Sequence, residues 1–393
     1  MNRRHFLQHV SLATLASPSV FAQTPDRLRV GVIGHTGRGN YGHGLDTVWK
    51  QIPGAQIVGV ADANPAGLRK AIDRLEASQG FADYEEMLRV TQPEFVSVCP
   101  RHADQHHAMT LAAIRSGVKG IYVEKPFCRT PSEADELVKA SQTFGTKIAV
   151  AHRNRYHPSL AVIDKFIAEG NLGKLLEIRG RGKGDRRGGD EDLWVLGSHV
   201  FNLIHYFGGK AHSCSAVMLR DGQHVTTSHI REGAEGLGPL AANELHARYE
   251  LNRGVIATFD SIANDGTEGA GFGLQLVGSK GIIQIQCDIS PVAHWIPGNP
   301  FKPTKADRPW TPITSGGIGK REPRPDLISQ VHNHVIPILD LIDAVKQDRR
   351  PLCNVLEGRQ TVEMICAVFE SHRQEGRTVA IPLKERDHPL TKL

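Results

Sequence analysis

The sequence predicts an α/β protein of two domains, a parallel sheet flanked by helices and then a more open sheet. Three observations support this. The chain has 393 residues, more than one core usually serves. Short apolar runs alternate with helical patterns up to about residue 152, and longer runs of alternating polar and apolar residues follow. With 40% apolar and 23% charged residues and a net charge of +5 that forms no Lys/Arg block, the composition argues against disorder and against nucleic-acid binding.

Residues 1–22 are predicted to be an export signal rather than part of the fold. They begin with basic Arg3 and Arg4, continue with a short apolar run and end in small residues at Ala22. The arginine pair resembles a twin-arginine signal, so we expect the export machinery as a partner and a periplasmic protein that folds before export. The apolar run is interrupted by polar residues and is shorter than a membrane span requires.

Cysteine and histidine spacing gives no sign of a disulfide framework or a metal centre. The six cysteines lie far apart without a C-x-x-C pair, as expected of small core residues. The histidine-rich run 101–107 (RHADQHH) has no matching ligand spacing elsewhere, so no metal is predicted.

Residues 26–152 are predicted to form the first domain. Buried-type strands are expected at 27–34, 55–62 and 95–100, and in the runs GIYVEKP and KIAVAHR. Helical patterns separate them, including one helix between the first two strands, one from Pro65 to Ser78 and one capped by Ser132. Strands alternating with helices at this spacing indicate a parallel sheet with right-handed crossovers.

Residues 153–393 are predicted to form the second domain. Residues 244–263 and 271–287 alternate polar and apolar positions around glycine turns, which is typical of antiparallel strands covered on one face. Residues 297–326 are rich in proline and glycine, and we expect either a flexible lid or an arm against a neighbouring subunit. Helical patterns return near the C-terminus.

A glycine-rich segment after the first strand predicts a dinucleotide site. Glycine lets the backbone approach a pyrophosphate, and a following helix N-terminus would offer N–H groups. Two registers are open: Gly34-x-Thr36-x-x-Gly39, which we prefer because Gly34 ends the strand, and a displaced one that starts at Gly37.

Asp62 ends the second strand, where a carboxylate can accept both ribose hydroxyls of an adenosine. It would repel a 2′-phosphate, so NAD is favoured over NADP, although Arg38 could soften this preference. The alternative is that Asp62 merely caps the helix that begins at Pro65.

Glu124 and Lys125 lie at the carboxyl end of a core strand, where parallel sheets bind ligands. Oxidation of a secondary alcohol needs a group that takes the hydroxyl proton and a cation that steadies the developing charge on oxygen. Lys125 is suited to such a role. The alternative is a salt-bridged strand end without chemistry.

Several motifs together resemble the glucose-fructose oxidoreductase / inositol dehydrogenase family (Gfo/Idh/MocA). They are the Gly34 turn, VGVAD, Pro100 with His106, VEKPF, Arg155-Tyr156-His157-Pro158, GSHVFNLIHYFGG and LVGSKGIIQI. The resemblance implies a Rossmann domain, a C-terminal α/β domain with an open, mainly antiparallel sheet that often assembles subunits, and a sugar or cyclitol substrate. It also implies that Lys125 and His199 are catalytic, that Gly37, Gly39, Pro100, His106 and Glu124 border the cofactor, and that Arg155 and Tyr156 border the substrate.

The chain departs from the family pattern around His199. Members commonly carry acids at the positions of Val195 and Asn202. A histidine without a carboxylate partner is less basic and less well oriented. Asn202 could hydrogen-bond a sugar, Asp192 could supply the missing charge, and Trp194 could stack on a sugar ring.

Three functions stay open at this point. The first is NAD-dependent sugar oxidoreduction, and the second is a redox-neutral glycosidase or lyase reaction through a transient keto-sugar. The third is carbohydrate binding without catalysis. An enzyme exported from the cytoplasm would need to retain its cofactor, which is consistent with either of the first two.

Overall fold

The computed structural model describes residues 27–393, which form two sheets with helices packed on them. The predicted export signal, residues 1–22, lies outside the described residues. No helix within the described range is long and apolar enough to cross a membrane.

The first sheet has six parallel strands in the order β3-β2-β1-β4-β5-β6. The strands are β1 (Leu28–Ile33), β2 (Ala55–Ala61), β3 (Gly80–Phe81), β4 (Phe95–Val98), β5 (Gly120–Val123) and β6 (Lys147–Val150). The helices between them are α1 (Pro65–Leu75), α2 (Tyr84–Thr91), α3 (His106–Arg115) and α4 (Pro131–Phe144). The parallel sheet is therefore confirmed. One detail differs: α4 is capped by Thr130, whose hydroxyl accepts the Glu133 N–H at 3.1 Å, because Pro131 suits the first helical position.

The predicted helix between β1 and β2 is wrong. Residues 35–46 form turns and bridges, followed by a single 3-10 turn, Thr47–Gln51. Asn40 and the glycines of this segment have positive φ angles, the glycines being Gly37, Gly39, Gly42 and Gly44. Left-handed residues at this density cannot continue an α-helix.

A helix from the far end of the chain covers the face beside this segment. In α9 (Val335–Lys346), Val335, Ile338 and Leu341 pack in one apolar cluster with Val32 and Tyr122 of the parallel sheet. The C-terminal part thus crosses back onto the first domain. Sequence periodicity predicted that this helix exists but could not show which sheet it covers.

The second sheet has eleven strands, mainly antiparallel, in the order β18-β17-β16-β15-β14-β7-β13-β12-β8-β19, with β9 beside β8. The strands are β7 (Leu175–Arg181), β8 (Ala211–Arg220), β9 (Gln223–His224), β12 (Glu244–Leu251), β13 (Ile256–Ile262), β14 (Gly273–Gly278), β15 (Gly281–Gln286), β16 (Ala293–Pro297), β17 (Thr311–Thr314), β18 (Gly317–Ile318) and β19 (Val379–Ala380). A separate pair is formed by β10 (Arg231–Glu232) and β11 (Pro239–Leu240). The helices are α5 (Ser159–Ala168), α6 (Asp190–Val195), α7 (Gly197–Gly208), α8 (Pro325–His332) and α10 (Val355–Arg373).

Alternating side chains give this sheet one apolar and one polar face. Phe259 and Ile178 are buried against α7, whereas Gln275 and Gln284 hydrogen-bond to each other at 2.9 Å on the opposite face. The predicted hairpins at 244–263 and 271–287 are confirmed by the antiparallel registers of their strands. The segment 297–326 is more ordered than predicted, because β17 and β18 extend the sheet edge within it.

All six cysteines are buried and free, as the scattered spacing predicted.

Candidate active site

The functional side chains gather at the carboxyl edge of the parallel sheet. The segment 34–44 follows β1, Asp62 follows β2, Pro100 follows β4, and Glu124 and Lys125 follow β5. Helix α7 of the second domain brings His199 to the same edge. The site is therefore a crevice between the two domains, where open α/β sheets bind their ligands.

Asp62 anchors the glycine segment. Its carboxylate accepts the Thr36 N–H at 3.1 Å, the Thr36 hydroxyl at 2.6 Å and the Tyr41 hydroxyl at 2.8 Å. Burial raises the pKa of Asp62, but the hydrogen bonds from Thr36 and Asn64 outweigh it, and the pKa lies below its usual value. The alternative role as cap of α1 does not hold, because Asn64 caps that helix. Asp62 is therefore a buried anion that holds the glycine segment against the end of β2.

The glycines of the segment permit close packing on both sides. A Cβ at Gly34 would lie 2.1 Å from the Tyr41 ring, and one at Gly39 would lie 2.3 Å from the backbone nitrogen of Arg101. Gly37 faces open space. Arg38 points to Asp104, with which it forms an ion pair. The segment thus offers a tight backbone surface, although no helix N-terminus stands behind it.

Glu124 ties the glycine segment to β5. Its carboxylate is 1% exposed and accepts the His43 N–H at 3.2 Å, a His43 ring nitrogen at 3.0 Å and the Lys125 N–H at 2.9 Å. Burial raises the pKa of Glu124, yet these contacts with His43 and the charge of Lys125 hold it well below its usual range. Glu124 is therefore a fully paired anion.

His106 joins the two proline turns that border the crevice. Its Nδ1 lies 2.6 Å from the Pro126 carbonyl and its Nε2 lies 2.6 Å from the Pro100 carbonyl. The ring is fully buried. His106 and Pro100 thus shape the floor of the crevice through the backbone.

Lys125 is 6% exposed, and its ammonium donates to the Val195 carbonyl at 3.3 Å. Burial lowers the pKa of Lys125, and the Glu124 carboxylate partly restores it. The contact comes from the backbone oxygen of Val195, because the valine side chain has no group that could accept a hydrogen bond. Lys125 is therefore held in place without a carboxylate partner from that position.

His199 lies on α7 and is 5% exposed. Its Nδ1 is buried and has no hydrogen-bond partner among the described residues. Burial lowers the pKa of His199 to about 3, the Asp288 carboxylate raises it in part, and the Lys125 charge lowers it further. His199 is thus a neutral imidazole beside Lys125.

Two residues of the site were missed by sequence reasoning, Asp288 and His152. Asp288 follows β15 and accepts Arg153 Nε at 3.0 Å and Asn154 Nδ2 at 3.1 Å. Burial raises its pKa, but the neighbouring His199 ring and the hydrogen bond and charge of Arg153 hold it well below the usual range. Asp288 thus supplies negative charge near His199 that the motif positions lack. His152 could have been found by its place just after β6.

Asn202, Arg155 and Tyr156 lie together beside α10 rather than around Lys125. Asn202 Nδ2 lies 3.4 Å from Glu357 Oε2, to which Arg155 Nε approaches within 3.8 Å. The Tyr156 hydroxyl accepts the Cys353 N–H at 3.2 Å. Arg155 and Tyr156 are thus engaged within the protein itself, whereas Asn202 uses its Nδ2 there and keeps a buried Oδ1 without a hydrogen-bond partner among the described residues.

Asp192 and Trp194 are also placed away from the crevice. Asp192 accepts the Ser261 hydroxyl at 2.5 Å and the Lys183 N–H at 3.1 Å, which fixes the turn before α6. Trp194 is fully buried and stacks on Phe369 with ring centroids 6.2 Å apart. The Trp194 indole is therefore part of the hydrophobic core and does not stack on a sugar in the crevice.

The residues present fit a dinucleotide. A buried carboxylate, Asp62, lies after β2, a glycine backbone with open space at Gly37 lies next to it, and the Lys125 ammonium and the His199 imidazole lie beyond. The backbone N–H groups of the turn would hold the pyrophosphate, in place of the helix terminus that the sequence predicted. Within residues 27–393 no three His, Cys, Asp or Glu side chains converge as a metal site.

Family models match most of the chain. Residues 28–152 match a model described as oxidoreductase family, NAD-binding Rossmann fold, and residues 165–381 match the C-terminal α/β domain of the same family.

Individual relatives are distant. D-apiose dehydrogenase of Paraburkholderia graminis is 29% identical over 125 residues, which are 32% of this chain and 33% of that protein. Levoglucosan dehydrogenase of Pseudarthrobacter phenanthrenivorans is 24% identical over 230 residues, 52% of this chain and 58% of that protein. The chain thus matches less than two thirds of the length of either relative.

A solved structure of levoglucosan dehydrogenase, in complex with NADH and L-sorbose, shares the fold over nearly the whole described chain. The TM-score is 0.73 at 18% identity, covering 91% of this chain and 100% of that one. This likeness shows the fold, and the two family models show that the chain belongs to the Gfo/Idh/MocA oxidoreductase family, with an NAD-binding Rossmann domain followed by the family's C-terminal α/β domain.

Proposed function

We propose that the protein oxidises or reduces a secondary hydroxyl of a sugar or cyclitol. The observation that carries this proposal is the meeting of Lys125 and His199, from different domains, in one buried crevice beside a glycine turn and Asp62. The names of the relatives, an apiose dehydrogenase and a levoglucosan dehydrogenase, support a carbohydrate substrate. NAD, when bound, supplies the acceptor or donor of the hydride.

Lys125 binds and polarises the reacting oxygen. Its ammonium is nearly dehydrated and has one carbonyl contact at 3.3 Å, so donors remain for a substrate oxygen. A cation in a site of low dielectric stabilises negative charge on that oxygen far better than it would in water. Because burial lowers its pKa, this lysine also gives up a proton more readily than an exposed one.

His199 takes the proton of the hydroxyl. Its neutral state leaves one ring nitrogen free to accept, and Asp288 stabilises the imidazolium that results. With a pKa of about 3, the ring is a weak base in the free protein. Proton transfer to it is therefore favourable only as the C–H bond breaks and the oxygen becomes a carbonyl.

A loop of the second domain supports retention of the cofactor. This cross-domain loop, residues 226–240, reaches the turn after β4: Glu235 lies 4.0 Å from Arg101 and Gly236 packs on Asp104. A side chain at Gly236 would meet the Asp104 carboxylate at 2.3 Å. A loop closed over this turn would slow release of a dinucleotide.

The proposal also covers the route of export, the assembly of subunits and the choice of NAD over NADP. Arg3 and Arg4 support a twin-arginine route that delivers the folded, cofactor-loaded protein to the periplasm. The open polar face of the second sheet supports assembly into a homo-oligomer, as in the family. Asp62 supports NAD rather than NADP.

The test is a panel of sugars, anhydrosugars and cyclitols given to the purified full chain with NAD. Nicotinamide absorbance and product mass are both recorded. NADH formation on a panel member that Lys125→Met abolishes is expected. A changed sugar without net NADH would instead favour the redox-neutral reaction, and turnover unaffected by Lys125→Met would overturn the proposal. Lys119→Met, at an exposed lysine paired with Glu94, is the matched control.

A further inference from the structure

Two buried imidazoles stand side by side in the crevice. His152 follows β6 and is 1% exposed, and its ring meets the ring of His199 edge-on with centroids 5.3 Å apart. Burial lowers the pKa of His152 well below its usual value, and the neighbouring His199 ring and the Lys125 charge lower it further, so His152 is also neutral. The pair therefore lies next to the ammonium that the proposed function places on the reacting oxygen.

The ring nitrogens of His152 find few hydrogen-bond partners within the protein. Its Nδ1 has only the Cys353 sulfur at 3.7 Å, a weak partner, and its Nε2 is buried with no hydrogen-bond partner among residues 27–393. By comparison, both ring nitrogens of the buried His106 lie 2.6 Å from carbonyl oxygens. A buried polar atom left unpaired destabilises a fold by about 1–3 kcal/mol. An unpaired buried atom of this kind, next to the proposed active site, indicates that a ligand forms the missing hydrogen bond.

The neighbouring His199 has an unpaired buried nitrogen too, its Nδ1. Two adjacent rings, each with an unsatisfied nitrogen, match two neighbouring polar atoms on one ligand. Hydroxyls on adjacent ring carbons meet this requirement, because their oxygens lie within hydrogen-bonding distance of each other and each can donate or accept.

We propose that His152 binds, through Nε2, the hydroxyl next to the one that is oxidised. This inference rests on the proposed function and deepens it. His152 is then a specificity-determining residue: it contacts a hydroxyl that does not react. A substrate without that hydroxyl leaves Nε2 unpaired in the complex and loses affinity in the transition state.

The experiment compares wild type, His152→Phe and His388→Phe. Phenylalanine keeps the ring and removes its nitrogens. His388 is a matched control, because it is also buried with unpaired ring nitrogens but packs on Trp194 and Phe369. The substrates are the panel sugar that reduces NAD fastest and the deoxy analogues that lack each hydroxyl next to its oxidised carbon.

For the wild type, kcat/KM is expected to fall by about 10- to 100-fold on one deoxy analogue. His152→Phe should lose a similar factor on the parent sugar and show no further loss on that analogue, with unchanged NAD affinity in a fluorescence titration. His388→Phe should discriminate as the wild type does.

Wild-type discrimination retained in His152→Phe overturns the inference and leaves the proposed function intact. If instead no panel sugar is turned over by the wild type, the proposed function fails and the inference fails with it. Circular dichroism of each variant shows whether a loss of activity reflects unfolding, and His152→Asn, which restores one donor and acceptor, should recover part of the discrimination.

Discussion

The two walls of the crevice differ in how completely the protein satisfies its own polar groups. On the cofactor wall, Asp62 and Glu124 each accept at least two hydrogen bonds within the chain, and both ring nitrogens of His106 lie 2.6 Å from carbonyl oxygens. On the substrate wall, His199 and His152 each keep a buried nitrogen without a partner among the described residues. Asp62, Glu124 and His106 are thus held by contacts within the protein, whereas His199 and His152 keep ring nitrogens that the proposed substrate would pair.

The two walls also differ in how their residues are distributed along the sequence. The cofactor wall consists of residues at strand ends of one parallel sheet, which a local motif specifies. The substrate wall combines α7 and the end of β15 with the end of β6, and the polar side chains that the motif suggested around His199 turn into the core instead. Four substitutions test this contrast.

Lys125→Met should have the largest effect, because it removes the one ammonium that both walls share. We expect kcat/KM to fall by about 10²- to 10⁴-fold, the range of a positioned proton donor, while methionine preserves most of the buried volume. Steady-state kinetics on the best panel sugar measure the loss. An NAD affinity that fell equally would assign Lys125 to the cofactor wall alone.

Trp194→Ala should destabilise the fold by about 3–5 kcal/mol, because it opens a cavity beside Phe369. At a temperature where the variant remains folded, KM for the sugar should stay within twofold of wild type. Urea unfolding and kinetics test the two parts. The control Trp310→Ala, at an indole 45% exposed, should change stability by no more than about 0.5 kcal/mol. A strong rise in the KM for the sugar would show that the Trp194 indole contributes to sugar binding.

Asp62→Asn should weaken NAD binding by about 10- to 100-fold, because it replaces charged hydrogen bonds to Thr36 and Tyr41 of the glycine segment by neutral ones and removes the charge proposed to meet the ribose. The preference for NAD over NADP should narrow at the same time. Fluorescence titration with both dinucleotides measures this, and the exposed Asp73→Asn serves as control. Equal affinities of variant and wild type would show that the carboxylate acts only within the protein.

His388→Phe should reduce the acid sensitivity of the fold. Burial lowers the pKa of His388 from 6.5 to about 4, so the unfolded chain binds a proton at this residue between these pH values and the native state does not. Stability is therefore lost as pH falls from 6.5 towards 4, by up to about 1.4 kcal/mol per pH unit. In the variant, the slope of unfolding free energy against pH should be smaller by that amount. An unchanged slope would show that His388 is protonated in the native state.

Other buried groups shape the same pH profile. His199 and His205 have pKa values lowered to about 3 by burial and act in the same direction as His388. Asp190 opposes them, since burial raises its pKa to about 6 and its native state gains a proton as pH falls. Comparing each variant with wild type cancels these shared contributions.

The sequence by itself determined five of the six strands of the first sheet, all but the two-residue β3, and the hairpins at 244–263 and 271–287 of the second. It also determined the residues at the ends of β1, β2 and β5. These features depend on local patterns. Apolar runs, turn glycines and charges at strand ends predict the same local structure whatever the rest of the chain packs against. The sequence also determined that Lys125 would lie at a ligand crevice, because all parallel strands deliver their carboxyl ends to one edge.

Only the tertiary structure decided which side chains face Lys125. Trp194 and Asn202 lie close to His199 in sequence yet turn into the core, while Asp288 and His152 approach His199 from elements distant in the chain. It also decided that α9 covers the first sheet beside the glycine segment. The physical reason is that the packing of helices on both sheets sets the direction of each side chain. Contacts between residues far apart in the sequence produce no local pattern from which they could be predicted.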